Sequence, residues 1–234
     1  GITVAKHGNR AVSSRSGSAD VLKCLGVNID ADKSVVERCL NQAGIGFLFA
    51  PLMHKTMKHV AGIRKALGFR TIFNLLGPLT NPARAHAQVL GVYDEQWIVP
   101  MANVLRQLGS RRAFVVHGLD GLDEITLTNH TNMAELRDGT IRSYLLHPEE
   151  LGFECCAPAD LKGGTPEENA AIIKDILEGA PGAKRDIVLL NASAAITVAE
   201  KSDSIKSALE MARRSIDTGA AYGKLKELCR ISNS

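Results

Sequence analysis

KHGNRAVSSRSGSAD, residues 6–20, lies between GITVA (1–5), which reads as a short buried strand, and VLKCLG (21–26), which reads as the first turns of a helix. The stretch holds Lys6, His7, Asn9, Arg10 and Arg15, four serines and two glycines. A strand, a polar loop and a helix start can together hold an anion. The first amides of a helix have no partner within it, and the helix dipole favours negative charge there. The pattern predicts Ser18 as the N-cap, with Asp20 in the first turn. Lysine and arginine would add charge-assisted hydrogen bonds. A solvated basic loop with a capped helix behind it fits the same residues.

Working outward, residues 2–6 form the first strand, and the helix behind the loop ends at Gly26. Asp30 or Asp32 can cap a helix over 33–42 that stops at Gly44. IGFLFA (45–50) reads as a buried strand ended by Pro51. The next helix is predicted over 54–67. At about 100° per residue, Met57, Val60, Ala61, Ile63 and Leu67 share one face, opposite Lys55, Lys58 and Lys65. Arg64 projects inside the apolar arc, where a guanidinium needs an anionic partner. That partner is either an internal carboxylate or a carboxylate or phosphate brought by a ligand. His54 and His59 are five apart, a poor spacing for two ligands on one helix face, and read as structural or surface residues. GFRTIFNLLGPLTNP (68–82) reads as a short helix and a turn closed by Gly77, Pro78 and Pro82.

AQVLGVY (87–93), a helix from EQWIVPMANVLRQLG (95–109), and the strand RRAFVVHG (111–118) alternate as in a parallel sheet with helices on its faces. Ligands usually bind at the carboxyl ends of such strands. The loop after His117 carries Asp120, Asp123 and Glu124, and crowded carboxylates of this kind sit in solvent or share a cation. A hairpin turning at Asp138-Gly139 follows. Four helix candidates then occupy 166–230, with caps predicted at Thr165, Ser204 and Thr218.

Composition excludes several classes. A 45% hydrophobic and 23% charged chain of 234 residues can bury a core. Net charge of +3 and 4% aromatic residues argue against nucleic acid and suit a small anionic substrate. Five cysteines in apolar settings, with no CxxC pair, fit a reducing cytoplasm rather than a disulfide framework. Cys155-Cys156 reads as buried or inert, since nothing nearby in sequence lowers a thiol pKa. No apolar run reaches membrane-spanning length.

The KHGN loop, GFRTIFNLLGPLTNP, the Asp123–Glu124 pair and LNASAAI together closely resemble the anthranilate phosphoribosyltransferase family, and the resemblance runs through the chain. It implies an α/β fold with a largely parallel central sheet flanked by helices. Residues 1–51 and 83–234 would form the α/β domain, and 52–82 part of a small helical subdomain. The implied reaction moves phosphoribose from phosphoribosyl pyrophosphate (PRPP) to anthranilate and releases pyrophosphate. By position, Lys6, His7, Gly8, Asn9, Arg10, Ala11, Val12, Ser13, Ser14 and Ser18 would bind PRPP. His7, Asn9 and Arg64 would bind anthranilate, and Asp123 and Glu124 would hold Mg2+. The resemblance assigns no acid–base residue; Lys6 and the metal would stabilise the leaving group. The complete protein would be a homodimer. Asp120 and LNASAAI receive no chemistry.

The family's glycine-rich GTGGD turn and NxST segment do not occur in these residues, and Gly1 rather than Met opens the chain. The expectation is a truncated form with an incomplete PRPP site, an exposed apolar patch and little activity. Two rivals are a pyrimidine nucleoside phosphorylase-like enzyme, which needs no Asp–Glu pair, and a non-catalytic nucleic-acid-binding relative. The HGN wording, Arg64 and Asp123–Glu124 count against the first; weak charge and scarce aromatics count against the second.

Overall fold

The computed structural model describes residues 1–10, 15–54 and 71–234, with Phe73 described by its backbone alone. Ala11, Val12, Ser13, Ser14, and residues 55–67 of the predicted helix with His59 and Arg64, lie outside the described residues. The fold is α/β. In chain order it runs β1 (Val4–Gly8), α1 (Ser18–Cys24), α2 (Lys33–Arg38), β2 (Ile45–Phe49), α3 (Ala50–Met53), α4 (Ile72–Leu79), β3 (Ala87–Gly91) and α5 (Ile98–Gln107). There follow β4 (Arg112–Gly118), β5 (Thr131–Arg137), β6 (Thr140–Leu146), α6 (Pro166–Leu177), α7 (Ala183–Val198), α8 (Ile205–Asp217) and α9 (Ala220–Ser232). No helix among the described residues is long and apolar enough to cross a membrane.

Two compact units share the chain. The first joins residues 1–84, 163–178 and 219–234. Its strands β1 and β2 pair in parallel, Val4 opposite Ile45 and Gly8 opposite Phe49. The first strand thus runs two residues beyond the predicted 2–6. The ladder continues because Lys6, His7 and Gly8 pair with Phe47, Leu48 and Phe49 of the buried β2. Helix α2 has Asp32 at its N-cap position and passes into a π-helical turn, Cys39–Ala43. Gly44 ends that turn at φ 74°, where a side chain would be strained. The apolar interior is made by Val27, Cys39, Ala43, Leu228 and Ile231, and by Ala19, Ile29, Phe47 and Phe49. Helix α4 continues through Gly77 and Pro78 to Leu79 instead of closing there. Leu52, Ile72 and Leu76 are exposed in this unit.

The second unit joins residues 85–162 and 179–218. Its sheet has the order β3-β4-β5-β6. β3 and β4 are parallel, and the hairpin β5–β6 adds two antiparallel strands. The expected turn is present. Asp138 (φ 49°) and Gly139 (φ 80°) are both left-handed, as a two-residue turn matching strand twist requires. Strand β4 lies inside the sheet and buries Ala113, Phe114, Val115 and Val116. Helix α5 packs on β4 and β5 through Ile98, Met101, Ala102 and Leu105, while α7 packs on β3 and β4 and against α8.

Thr165 and Ser204 cap α6 and α8 as predicted, accepting from the amides of Glu168 and Ser207. Thr218 does not cap the last helix. Its hydroxyl donates to the Arg214 carbonyl at the end of α8, and Gly219, at φ 71°, begins α9. All five cysteines are free, but not all sit in apolar settings: Cys39 is buried, whereas Cys24 and Cys155 are exposed.

Candidate functional site

In the first unit, the end of β1 and the start of α1 bring six of the predicted residues together. Lys6, Asn9 and Arg10 are exposed; His7, Gly8 and Ser18 are half-buried. The Asn9 carbonyl accepts from the Ala19 amide (3.3 Å), which folds the loop back onto the helix start. The Arg10 guanidinium stands 3.5 Å from the Asp20 carboxylate and 5.6 Å from the Phe49 ring centre. Gly8 allows the close approach: a Cβ there would lie 2.8 Å from both the Phe47 ring and the Ser18 hydroxyl.

Ser18 is not the N-cap. Gly17 holds that position in extended conformation without a side-chain cap, and Ser18 is the first helical residue. Asp20 does sit in the first turn. The amides of Asp20 and Val21 both donate to the Gly17 carbonyl. With the Ala19 amide bound to Asn9, the helix start offers an anion fewer backbone donors than its sequence suggests. Among the described residues, the side chains of Lys6, Asn9, Arg10 and Ser18 add polar groups at this corner.

Two neighbours steady this corner. Asn81 donates from Nδ2 to the Ala5 carbonyl (2.9 Å), one residue before Lys6. His54 packs edge-on against His7, ring centres 5.0 Å apart. Burial, and secondarily the His54 charge, push the His7 pKa down, outweighing a hydrogen bond with the Gly77 backbone. Both effects favour the neutral imidazole of His7 over its charged form.

The second unit carries the acidic loop between β4 and β5. Asp123 and Glu124 are exposed there. Asp120 is the loop's internal fastener. Its carboxylate accepts from the Thr126 hydroxyl (2.5 Å), the Thr128 hydroxyl and the Leu122 amide (3.1 Å). Burial would raise its pKa, but these hydrogen bonds outweigh it and hold the carboxyl below the usual range. Asp120 is thus occupied with structure, while the adjacent pair presents oxygen donors suited to a hard divalent cation.

Sequence reading missed two positioning residues. Gly91, at the end of β3, touches the backbone of Asp123; a Cβ there would overlap the Asp123 carbonyl oxygen and lie 2.5 Å from its carbon. Asn191, in the LNASAAI run of α7, accepts from the Ile125 amide (3.0 Å) and donates to the Ile125 carbonyl (2.8 Å). It also donates to Ile187 of its own helix (3.0 Å). Asn191 therefore clips the chain immediately after Glu124. An amide set among Leu189, Leu190, Ala192 and Ala194 was the available signal.

Residues 1–222 match the family described as glycosyl transferase family, a/b domain. The chain is 55% identical over 233 residues to the anthranilate phosphoribosyltransferase of Clostridium kluyveri, covering all of this chain and 70% of that protein. Its similarity to the Acetivibrio thermocellus anthranilate phosphoribosyltransferase is 53% over 234 residues, covering 68% of that protein. The crystal structure of the Thermus thermophilus enzyme of that name superposes with a TM-score of 0.94 at 46% identity, over 100% of this chain and 70% of that one. The Saccharomyces cerevisiae enzyme in complex with PRPP and Mg gives a TM-score of 0.89 at 29% identity, over 98% and 64% of the two chains.

Proposed function

The chain belongs to the anthranilate phosphoribosyltransferase family, a family of pentosyltransferases, and from that premise we propose that it transfers phosphoribose from PRPP to the anthranilate amino group in tryptophan biosynthesis. The observation that supports this most directly is the gathering of Lys6 through Arg10 and Ser18 at the end of β1. These are the residues to which the family resemblance gives PRPP.

Cleaving the bond between ribose and pyrophosphate builds negative charge on the leaving group. Lys6 supplies an exposed cation for it, and the Ser18 hydroxyl supplies a further donor. Ala11, Val12, Ser13 and Ser14 complete the PRPP loop on this reading. Asn9 and Arg64 hold anthranilate with its weakly nucleophilic amine in line for attack. His7, whose charged form burial and His54 disfavour, lines the anthranilate path on this reading.

Asp123 and Glu124 fit magnesium by donor chemistry, since both offer carboxylate oxygens and are exposed. When bound, the ion neutralises charge on the pyrophosphate leaving group. Five free thiols fit a cytoplasmic enzyme, and a homodimer is the assembly that the resemblance implies.

The test is the loss of anthranilate fluorescence on adding PRPP and magnesium. It is run on this chain and on the chain joined to the part of the Clostridium kluyveri relative outside the match. Magnesium-dependent loss in either supports the reading. Stable fluorescence in both, with no PRPP binding by calorimetry, overturns it.

A further inference from the structure

We propose that His130, His147, Glu149 and Cys155 form a binding site for one divalent transition-metal ion of the zinc class. The β5–β6 ladder supplies the frame. Thr131 lies opposite Leu146, so His130 and His147 are the residues just outside the paired ends of the two strands. Their rings meet, with centres 3.9 Å apart and planes tilted by 42°. Pro148–Leu151 then forms a 3-10 turn that places Glu149 beside the histidines, and Gly152, at φ 83°, turns the chain back towards Cys155. One donor atom from each of His130, His147 and Glu149 lies within 4.8 Å of the others. The Cys155 thiol donates to Glu149 Oε1 at 3.0 Å.

A tetrahedral ion with nitrogen and oxygen donors at about 2.0–2.2 Å and sulfur at about 2.3 Å requires its donors roughly 3.3–3.6 Å apart. The His130, His147 and Glu149 donors, within 4.8 Å of one another, need close by little more than about an ångström, and the Cys155 sulfur already stands 3.0 Å from Glu149 Oε1. Both histidines are half-buried and Glu149 and Cys155 exposed, so the ion enters from solvent without unfolding the hairpin. Two imidazoles and a thiolate select zinc, cobalt or nickel over magnesium, whose ligands are oxygens. The step balances simply: the metal–sulfur bond replaces the Cys155 S–H bond, and the thiol proton passes to buffer.

The ion would act on the acidic loop through existing hydrogen bonds. The His130 carbonyl accepts from the Leu119 amide (2.9 Å), and the Cys156 amide donates to the Leu127 carbonyl (3.0 Å). Both bonds reach the segment that carries Asp123 and Glu124. A bound ion would therefore tether that segment from its far side.

Cobalt is the probe. The chain is stripped with a chelator and titrated with Co2+ in excess magnesium, which occupies sites made of carboxylates alone. One Co2+ per chain is expected, with tetrahedral visible bands, a near-ultraviolet thiolate-to-cobalt band and release of the thiol proton. His130→Gln or His147→Gln should weaken binding roughly tenfold or more, and Cys155→Ser should remove the thiolate band. Cys155 is exposed, so this last variant leaves the core packing untouched. Absence of saturable binding overturns the proposal. So does saturable binding that both histidine variants retain, or wild-type binding without the thiolate band.

Discussion

Gly91 and Asp123 are in backbone contact, and no side chain larger than hydrogen fits between them. The end of β3 thus sets the position of a residue thirty-two places further along. Gly91→Ala must push the Asp123 backbone away. Overpacking of this kind costs about 1–3 kcal/mol of stability. If Asp123 holds magnesium as proposed, displacing its carboxylate by about an ångström should lower kcat/KM about 100-fold and raise the magnesium requirement. Initial rates over a magnesium series check this; an unchanged magnesium dependence would sink the positioning role.

Asn191→Ala leaves the Ile125 amide and carbonyl without their partner at a fully buried residue. Each such loss costs about 1–3 kcal/mol. We expect a lower Tm, faster hydrogen exchange at the Ile125 amide and a weakened response to magnesium. Thermal unfolding with unchanged exchange at Ile125 would place the clip elsewhere.

Asp120 links this loop to pH. Its folded pKa lies below the usual carboxylate value, so the unfolded chain takes up the proton first as pH falls. The stabilisation is present above the unfolded pKa, declines below it and is lost as pH drops through the folded value. Asp120→Asn should lower Tm at neutral pH and flatten the acid limb of the Tm–pH curve. Parallel acid limbs in both proteins would contradict this.

The proposed roles of Arg64 and Asp123 separate in kinetics. Arg64→Ala should raise KM for anthranilate by about 10–100-fold, the worth of one or two charge-assisted hydrogen bonds, with KM for PRPP little changed. Asp123→Asn should instead shift the magnesium dependence of PRPP use. Steady-state kinetics with each substrate varied in turn distinguishes the two, and an unaltered anthranilate KM in Arg64→Ala removes Arg64 from the carboxylate site.

Elements and most of their ends were legible because they depend on local patterns. Gly44, Asp138-Gly139, Thr165 and Ser204 each stop, turn or start a segment through their own backbone or side chain. Two kinds of failure concern caps and strand length. Ser18 and Thr218 have capping chemistry, but glycines beside them took the N-cap positions. β1 outran its apolar run because Lys6, His7 and Gly8 gain ladder partners from β2, some forty residues on. Clusters of charge, as in Lys6–Arg10 and Asp123–Glu124, were visible in the sequence, and the structure leaves Lys6, Arg10, Asp123 and Glu124 exposed. Gly91, Asn191 and the meeting of His130 with Cys155's neighbour Glu149 were not legible there, because each depends on which distant backbone the fold brings alongside.

The three-segment make-up of the first unit affects the order in which a growing chain can fold. Val27, Cys39 and Ala43 pack against Leu228 and Ile231 of α9, and the Asn28 amide donates to the Ser232 hydroxyl. The second unit is already complete at residue 218. On the ribosome, the strand that bears Lys6 therefore emerges before the second unit yet waits for α9 to finish its core. The unit that starts before the other is the later to settle, and its apolar surface is exposed to chaperones and proteases throughout that interval.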